Sequence, residues 1–212
     1  MAEFLDIYDE TGKHLGTENR NIVHKMGLWH KTIHCWIVKD NTNILFQKRS
    51  HRLLDNPSKL YTTASGHLQA GETLDMAFKR EISEELGINI SNPQKLFEVI
   101  YKTDFTKRDG TPFHDRVFCN IFMADCNMPL TEYHPQTEEL DGIVEVDIKK
   151  ALSLFKGDID EIPATCYTND SGEYSLTTQT LHLNDFLCNP TETHYEKYGK
   201  ILEAILKVKY LQ

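Results

Sequence analysis

An α+β fold is predicted by three observations: β-branched and aromatic runs at 29–39, 44–47, 96–105 and 117–123, an amphipathic helical stretch at 73–86, and a second helical pattern near 192–210. Phe4–Tyr8 alternates loosely before the turn-forming Asp9-Glu10-Thr11-Gly12, so the first two dozen residues read as a hairpin appended to the main body. The strand from Trp29 is followed by Lys39-Asp40-Asn41-Thr42-Asn43, a tight connection to Ile44–Gln47. Residues 50–65 lack periodicity, contain Pro57 and read as a loop leading to Gly66.

Between 73 and 86 the period changes. At about 100° per residue Leu74, Phe78, Ile82 and Leu86 form one apolar stripe, and Gly87 stands where a helix end favours a left-handed residue. The strands at 96–105 and 117–123 flank Lys107-Arg108-Asp109-Gly110, whose Asp-Gly pair signals a hairpin. A strand at 143–148 and a short helix at 151–155 follow, then a turn at Asn169-Asp170-Ser171-Gly172. In the final helix Tyr195, Tyr198, Ile201, Leu202, Ile205 and Val208 share a broad apolar face. With no repeat or linker between these pieces, residues 1–212 read as one domain. It divides into a hairpin extension (1–28), a core (29–160) and a C-terminal elaboration (161–212).

The 212 residues carry 23 basic and 32 acidic side chains, a formal charge of -9, with 40% apolar and 26% charged content. This acidity gives no global attraction for nucleic acid or an anionic membrane, but a small phosphorylated molecule can bind where a cation supplies the positive charge. No apolar window reaches the roughly 18 residues of a membrane span, and no basic-then-apolar leader opens the sequence, so a soluble, cytoplasmic protein is expected. Five widely spaced cysteines without a Cys-x-x-Cys pair are expected as reduced thiols, with Cys35 and Cys119 packed in apolar runs.

The informative segment is 66–88. On a helix, Glu81, Glu84 and Glu85 share an arc of roughly 100° beside the apolar stripe, so their carboxylates repel unless a cation sits among them. Hard oxygen donors at this density suit Mg²⁺ or Mn²⁺. An acidic run is usually a solvated face. Here its flanks point the other way: Gly66 leaves a carbonyl accessible, Gly71-Glu72 opens the helix, and Arg80 is spaced to give Glu72 or Glu84 a bidentate partner.

These residues resemble the Nudix hydrolase signature, G-x5-E-x7-R-E-U-x-E-E-x-G-U with U aliphatic: Gly66, Glu72, Arg80, Glu81, Ile82, Glu84, Glu85, Gly87 and Ile88 meet every fixed position. The resemblance implies an α/β/α sandwich around a mixed β-sheet. It implies Mg²⁺-dependent hydrolysis of a diphosphate linkage, in a nucleoside diphosphate derivative or another organic diphosphate, by metal-primed water rather than a covalent nucleophile. By position, the Gly66 carbonyl, Glu81, Glu84 and Glu85 would hold the ions, while Glu72 and Arg80 brace the loop–helix geometry. Glu81 or Glu85 is the candidate general base, with Glu138 and Glu139 of the later acidic loop ranked lower. Lys48 and Arg49, at a strand end, are candidates for substrate phosphate, against the plainer reading of a basic strand terminus.

Outside that segment, His24, Gly27, Trp29, His30 and Ser65-Gly66-His67 look like the superfamily branch that includes isopentenyl-diphosphate isomerase and its hydrolase relatives. The isomerase moves protons with a Cys–Glu pair and holds a metal with histidines and glutamates. Here the Cys position is Ser65 and the second acid falls near Arg116, neither of which exchanges protons in that role, so hydrolysis is preferred. Double-bond isomerisation and non-catalytic nucleotide binding are the alternatives. Among His30, His34, His67 and His114 a packed strand histidine is the usual role, and His67, beside Gly66, is the exception to test. Homodimerisation through the hairpin or last helix is a further expectation.

Overall fold

The computed structural model describes residues 3–107, 110–169, 172–189 and 192–210. In it Phe4–Tyr8 (β1) and His14–Asn19 (β2) form the expected hairpin, but Arg20–Met26 is a helix (α1), capped by the Asn19 side chain at its start and by Gly27 at its end. Seven residues are too few to declare a helical period, which is why the sequence does not reveal α1. Nor is this segment an appendage: Tyr8 pairs with Trp29, and α1 buries Val23 and His24.

Trp29–Lys39 (β3) and Asn43–Arg49 (β4) meet only at Val38–Ile44 and Lys39–Asn43, then splay apart. The segment read as a loop fills this gap with two short strands, Leu60–Tyr61 (β5) on β4 and Ala64–His67 (β6) on β3. Strands of two and four residues carry no periodic signal. Leu74–Leu86 (α2) follows as expected: the Thr73 hydroxyl accepts the Met76 N–H at 3.3 Å, and Gly87 ends the helix at φ 65°.

Gln94–Thr106 (β7) and Pro112–Asp125 (β8) form a long antiparallel pair whose turn residues Arg108 and Asp109 lie outside the described residues. β8 runs parallel to β3 while the other ladders are antiparallel, making the sheet mixed. Leu140–Asp147 (β9) lies against β4 and leads into Ile148–Lys156 (α3), capped by Asp147. Glu161–Asn169 (β10) and Tyr174–His182 (β11) extend the sheet where only a turn had been legible, and Asp170 and Ser171 of that turn are outside the described residues. The last helix begins as a π-helical turn, Tyr195–Gly199, and continues as Lys200–Tyr210 (α4).

Two buried clusters lie on opposite faces of the sheet. Ile33, Cys35 and Ile37 of β3 pack on Phe78, Ile82 and Leu86 of α2. The alternate residues Trp36 and Val38 join Phe155 of α3 and Tyr198, Ile201, Leu202 and Ile205 of the last helix. Helices therefore cover both faces, giving the layered α+β sandwich. All five cysteines are free, and among the described residues no helix is long and apolar enough to cross a membrane.

Candidate active site

Opening β3 from β4 leaves a cleft of about 580 Å³, bordered on one side by Ser65, Gly66 and His67 of β6 and the acidic edge of α2. Arg80 organises that edge. Its Nε and Nη2 donate to the two Glu72 carboxylate oxygens, both at 2.9 Å, and Nη2 also donates to the His67 carbonyl at 2.9 Å. Its Nη1 reaches Glu81 at 2.6 Å and Glu84 at 3.1 Å. The bidentate partner is thus Glu72, whose Oε2 also accepts the Gln69 N–H at 3.0 Å and pins the loop before α2.

Glu81 and Glu85 are 8% and 5% exposed, whereas the Glu84 side chain faces solvent. Burial raises the Glu81 carboxyl to about 7 against the opposing pull of Arg80, and burial, with Glu81 and Glu139 nearby, raises Glu85 well above the ordinary range. Glu85 accepts one N–H, from Ser65 at 3.2 Å. At Gly66 the backbone passes so close that a Cβ would lie 1.7 Å from Glu81 Oε1, so only glycine leaves the carboxylate its place. Desolvated carboxylates with one guanidinium among them, beside an open cleft, fit a hard divalent cation.

The other expected residues separate cleanly. Glu139 lines the cleft, but Glu138 is exposed and outside it. Their loop is fixed to the end of α2 by the Gln136 N–H on the Glu85 carbonyl at 2.9 Å. Arg49 lines the cleft, held by the Asn56 and Asp55 carbonyls at 3.2 and 3.0 Å, while its neighbour Lys48 does not. His114 is half-exposed and paired with Asp104 at 2.7 Å, away from the cleft.

The reading of His30 as an isolated strand histidine gives way to a cluster. Ring nitrogens of His24, His30 and His67 all lie within 4.8 Å of one another. His24 Nδ1 meets the Arg20 carbonyl at 2.9 Å and His30 Nδ1 the Leu28 carbonyl at 3.0 Å. Those carbonyls can only accept, so both Nδ1 atoms carry protons and both Nε2 lone pairs face the cluster. Asp115 Oδ1 stands 3.4 Å from His30 Nε2 and 3.7 Å from His24 Nε2, and it and His30 Nε2 are buried with no hydrogen-bond partner among the described residues. Burial lowers His24 to about 4 and raises Asp115 to about 6. Neutral imidazoles around a carboxylate are a transition-metal donor set.

Asp115 was not legible as a site residue. By sequence position the isomerase's second acid falls near Arg116, but Arg116 turns its guanidinium to Asp104 at 2.8 Å, and its neighbour Asp115 lines the cleft. Strand alternation from the buried Val117 was the available signal. Arg20, Tyr61, Tyr101, Glu192 and Lys197 also line the cleft and carried no motif.

A family model described as the NUDIX domain matches residues 28–166. The chain belongs to the Nudix family. An uncharacterised Nudix hydrolase of Clostridium acetobutylicum is 32% identical over 210 residues, 96% of this chain and 97% of that one. An isopentenyl-diphosphate Delta-isomerase of Cutibacterium acnes is 25% identical over 157 residues, 73% of this chain and 78% of its own. The crystal structure of DR0079 from Deinococcus radiodurans shares the fold, with a TM-score of 0.55 and 19% identity over 73% of this chain and 90% of that one. This Nudix chain thus has relatives named as hydrolases and as isomerases.

Proposed function

We propose that this Nudix protein hydrolyses a diphosphate linkage in a small organic diphosphate with Mg²⁺ or Mn²⁺. The reading rests on one observation: Glu81 and Glu85 are buried at a cleft wall with raised carboxyls, beside a glycine whose missing Cβ makes room for Glu81. The Gly66 carbonyl, Glu81, Glu84 and Glu85 would hold the ion, which supplies charge neutralisation for phosphate oxygens and activation of water. Arg80 and Glu72 act as positioning residues that fix the His67 carbonyl and the loop against α2. Glu81 or Glu85 is the candidate general base once the cation holds these carboxyls ionised, and the Ser65 N–H at 3.2 Å sets the position of Glu85. Glu139 and Arg49 line the same cleft, and Arg49 is the candidate for a phosphate oxygen.

Phosphate or nucleotide release from a diphosphate panel with Mg²⁺ tests this. Release should fall at least about 100-fold in Glu85→Gln and stop in chelator, and an undiminished variant sinks the assignment. One observation favours a second reading. His24, His30 and His67 could hold a metal ion beside the protonatable Asp115, and Asp115 and Ser65 line the same cleft, a set that double-bond isomerisation could use. Ser65 weighs against it, since a hydroxyl titrates far above a thiol. Isopentenyl diphosphate incubated with the enzyme should stay unisomerised.

A further inference from the structure

Beyond the histidine cluster the cleft continues to a wall that the diphosphate chemistry does not use. There His34 Nε2 and the Tyr61 hydroxyl lie 3.1 Å apart, and Tyr101 stacks over His34 with ring centres 6.1 Å apart. Burial pushes His34 down to about 3, so it is a neutral imidazole at physiological pH. Gln47, 2% exposed, lines the same wall.

The roof comes from the C-terminal segment, outside the 28–166 match to the family model. The Leu187 N–H donates to the Leu60 carbonyl at 2.8 Å and seats this segment beside Tyr61. The π-helical turn at Tyr195–Gly199 then directs Lys197 into the cleft. Gly199 makes the turn feasible, because a Cβ there would lie 2.2 Å from the Tyr195 ring. The Lys197 side chain is only 9% exposed; its Nζ is 5.4 Å from the Tyr61 ring centre and 3.8 Å from Glu192 Oε2. That last separation exceeds a hydrogen bond, so among the described residues the ammonium has a charge partner and ring faces but unused N–H donors.

We propose that Lys197 and Glu192 form the specificity site for the organic moiety of the substrate, reading the hydrogen-bonding edge of a nucleobase. This deepens the hydrolase reading and rests on it. A base edge sets an acceptor next to an N–H donor, which answers the ammonium and the carboxylate side by side, while the base faces suit the Tyr61 and Tyr101 rings. A prenyl chain offers neither group. It would strip Lys197, Glu192 and Gln47 of water and leave their hydrogen-bonding capacity unmet beyond the 3.8 Å Lys197–Glu192 ion pair, a penalty that a polar ligand avoids.

The test compares kcat/KM for nucleoside diphosphate sugars, geranyl diphosphate and inorganic pyrophosphate in wild type, Lys197→Met and Glu192→Gln, with Mg²⁺. Wild type should prefer the base-bearing substrates, and each variant should lose about 10- to 100-fold on them through KM, at least about tenfold more than on pyrophosphate. Equal losses on base-bearing and base-free substrates, or a wild-type preference for geranyl diphosphate, would overturn the inference. If wild type turns over nothing, the hydrolase reading fails separately. Calorimetric binding of UDP and ADP with Ca²⁺ then decides the site: weakening in both variants supports it, and unchanged affinity rejects it. Circular dichroism identifies any variant that does not fold, and the other variant then carries the result.

Discussion

Replacing Glu81 by Gln should make the metal-free protein more stable, not less. Glu81 is 8% exposed, and burial outweighs Arg80 in raising its carboxyl from 4.5 to about 7. Between those two values the folded chain keeps a proton that the unfolded chain gives up, so stability falls as pH rises through this window. Above it the ionised carboxylate costs the fold about 3 kcal/mol. Gln has nearly the same shape, retains an oxygen for the Arg80 Nη1 donor now at 2.6 Å, and never ionises. Losing the charge assistance of that bond offsets part of the gain. Urea unfolding in EDTA should therefore show Glu81→Gln more stable than wild type by about 1–3 kcal/mol at pH 8 and nearly equal to it at pH 4.5. Magnesium should reverse the order, because binding to the folded state alone adds about 2.7 kcal/mol at a hundredfold excess over Kd, and the variant has lost a ligand. A variant destabilised by the same amount at both pH values, with an undiminished magnesium response, would refute the reasoning.

Three further outcomes are expected. Gly66→Ala brings a Cβ to within 1.7 Å of Glu81 Oε1, so the carboxylate must leave; hydrolysis should drop more than about 100-fold and the magnesium-induced thermal shift should vanish while circular dichroism stays unchanged. His30→Gln breaks the histidine cluster, and the bound transition metal measured by mass spectrometry after loading should fall by about one equivalent, with the magnesium response of the α2 acids retained. Thr73→Ala removes the hydroxyl that accepts the Met76 N–H at 3.3 Å, and should cost about 1 kcal/mol in urea unfolding with no change in substrate preference.

What could be read from the sequence was what repeats locally. The α2 stripe, its Thr73 and Gly87 ends, and the spacing of Glu72, Arg80, Glu81, Glu84 and Glu85 are all contained within a few turns, so the acidic wall was visible before any coordinates. The histidine cluster is assembled from distant pieces. His24 comes from a seven-residue helix, His30 from β3, His67 from β6 and Asp115 from β8; the parallel β3–β8 register and the β3–β6 ladder bring the last three together, and α1 adds His24. One residue of strand slip also decides which side chain enters a cleft, which is why Arg116 was favoured where Asp115 stands. The β10–β11 hairpin escaped for a different reason: its buried positions Ile162, Ala164, Cys166 and Thr168 alternate, but their small and polar members give little contrast.

The cleft gathers buried ionisable groups, whereas among the described residues the unpartnered polar atoms in the two cores, Trp36 Nε1 and the Tyr133 hydroxyl, are neutral. Glu81, Glu85 and Asp115 are carboxylates held out of water, His30 Nε2 and Asp115 Oδ1 lack partners, and Lys197 has a charge partner beyond hydrogen-bonding distance. Each placement lowers the stability of the empty protein, and the apolar clusters on α2 and on α3 with α4 must outweigh the total. Because the deficits differ in kind, different ligands relieve them: a hard cation at the glutamates, a softer cation at the imidazoles, a neutral hydrogen-bonding edge at Lys197 and Glu192. Stabilisation by Mg²⁺, a transition metal and a nucleotide should then be separable by Glu81→Gln, His30→Gln and Lys197→Met, each variant blunting chiefly its own ligand's thermal shift. A single variant that erased all three would mean the cleft acts as one site, and the division of roles drawn from the geometry would be wrong.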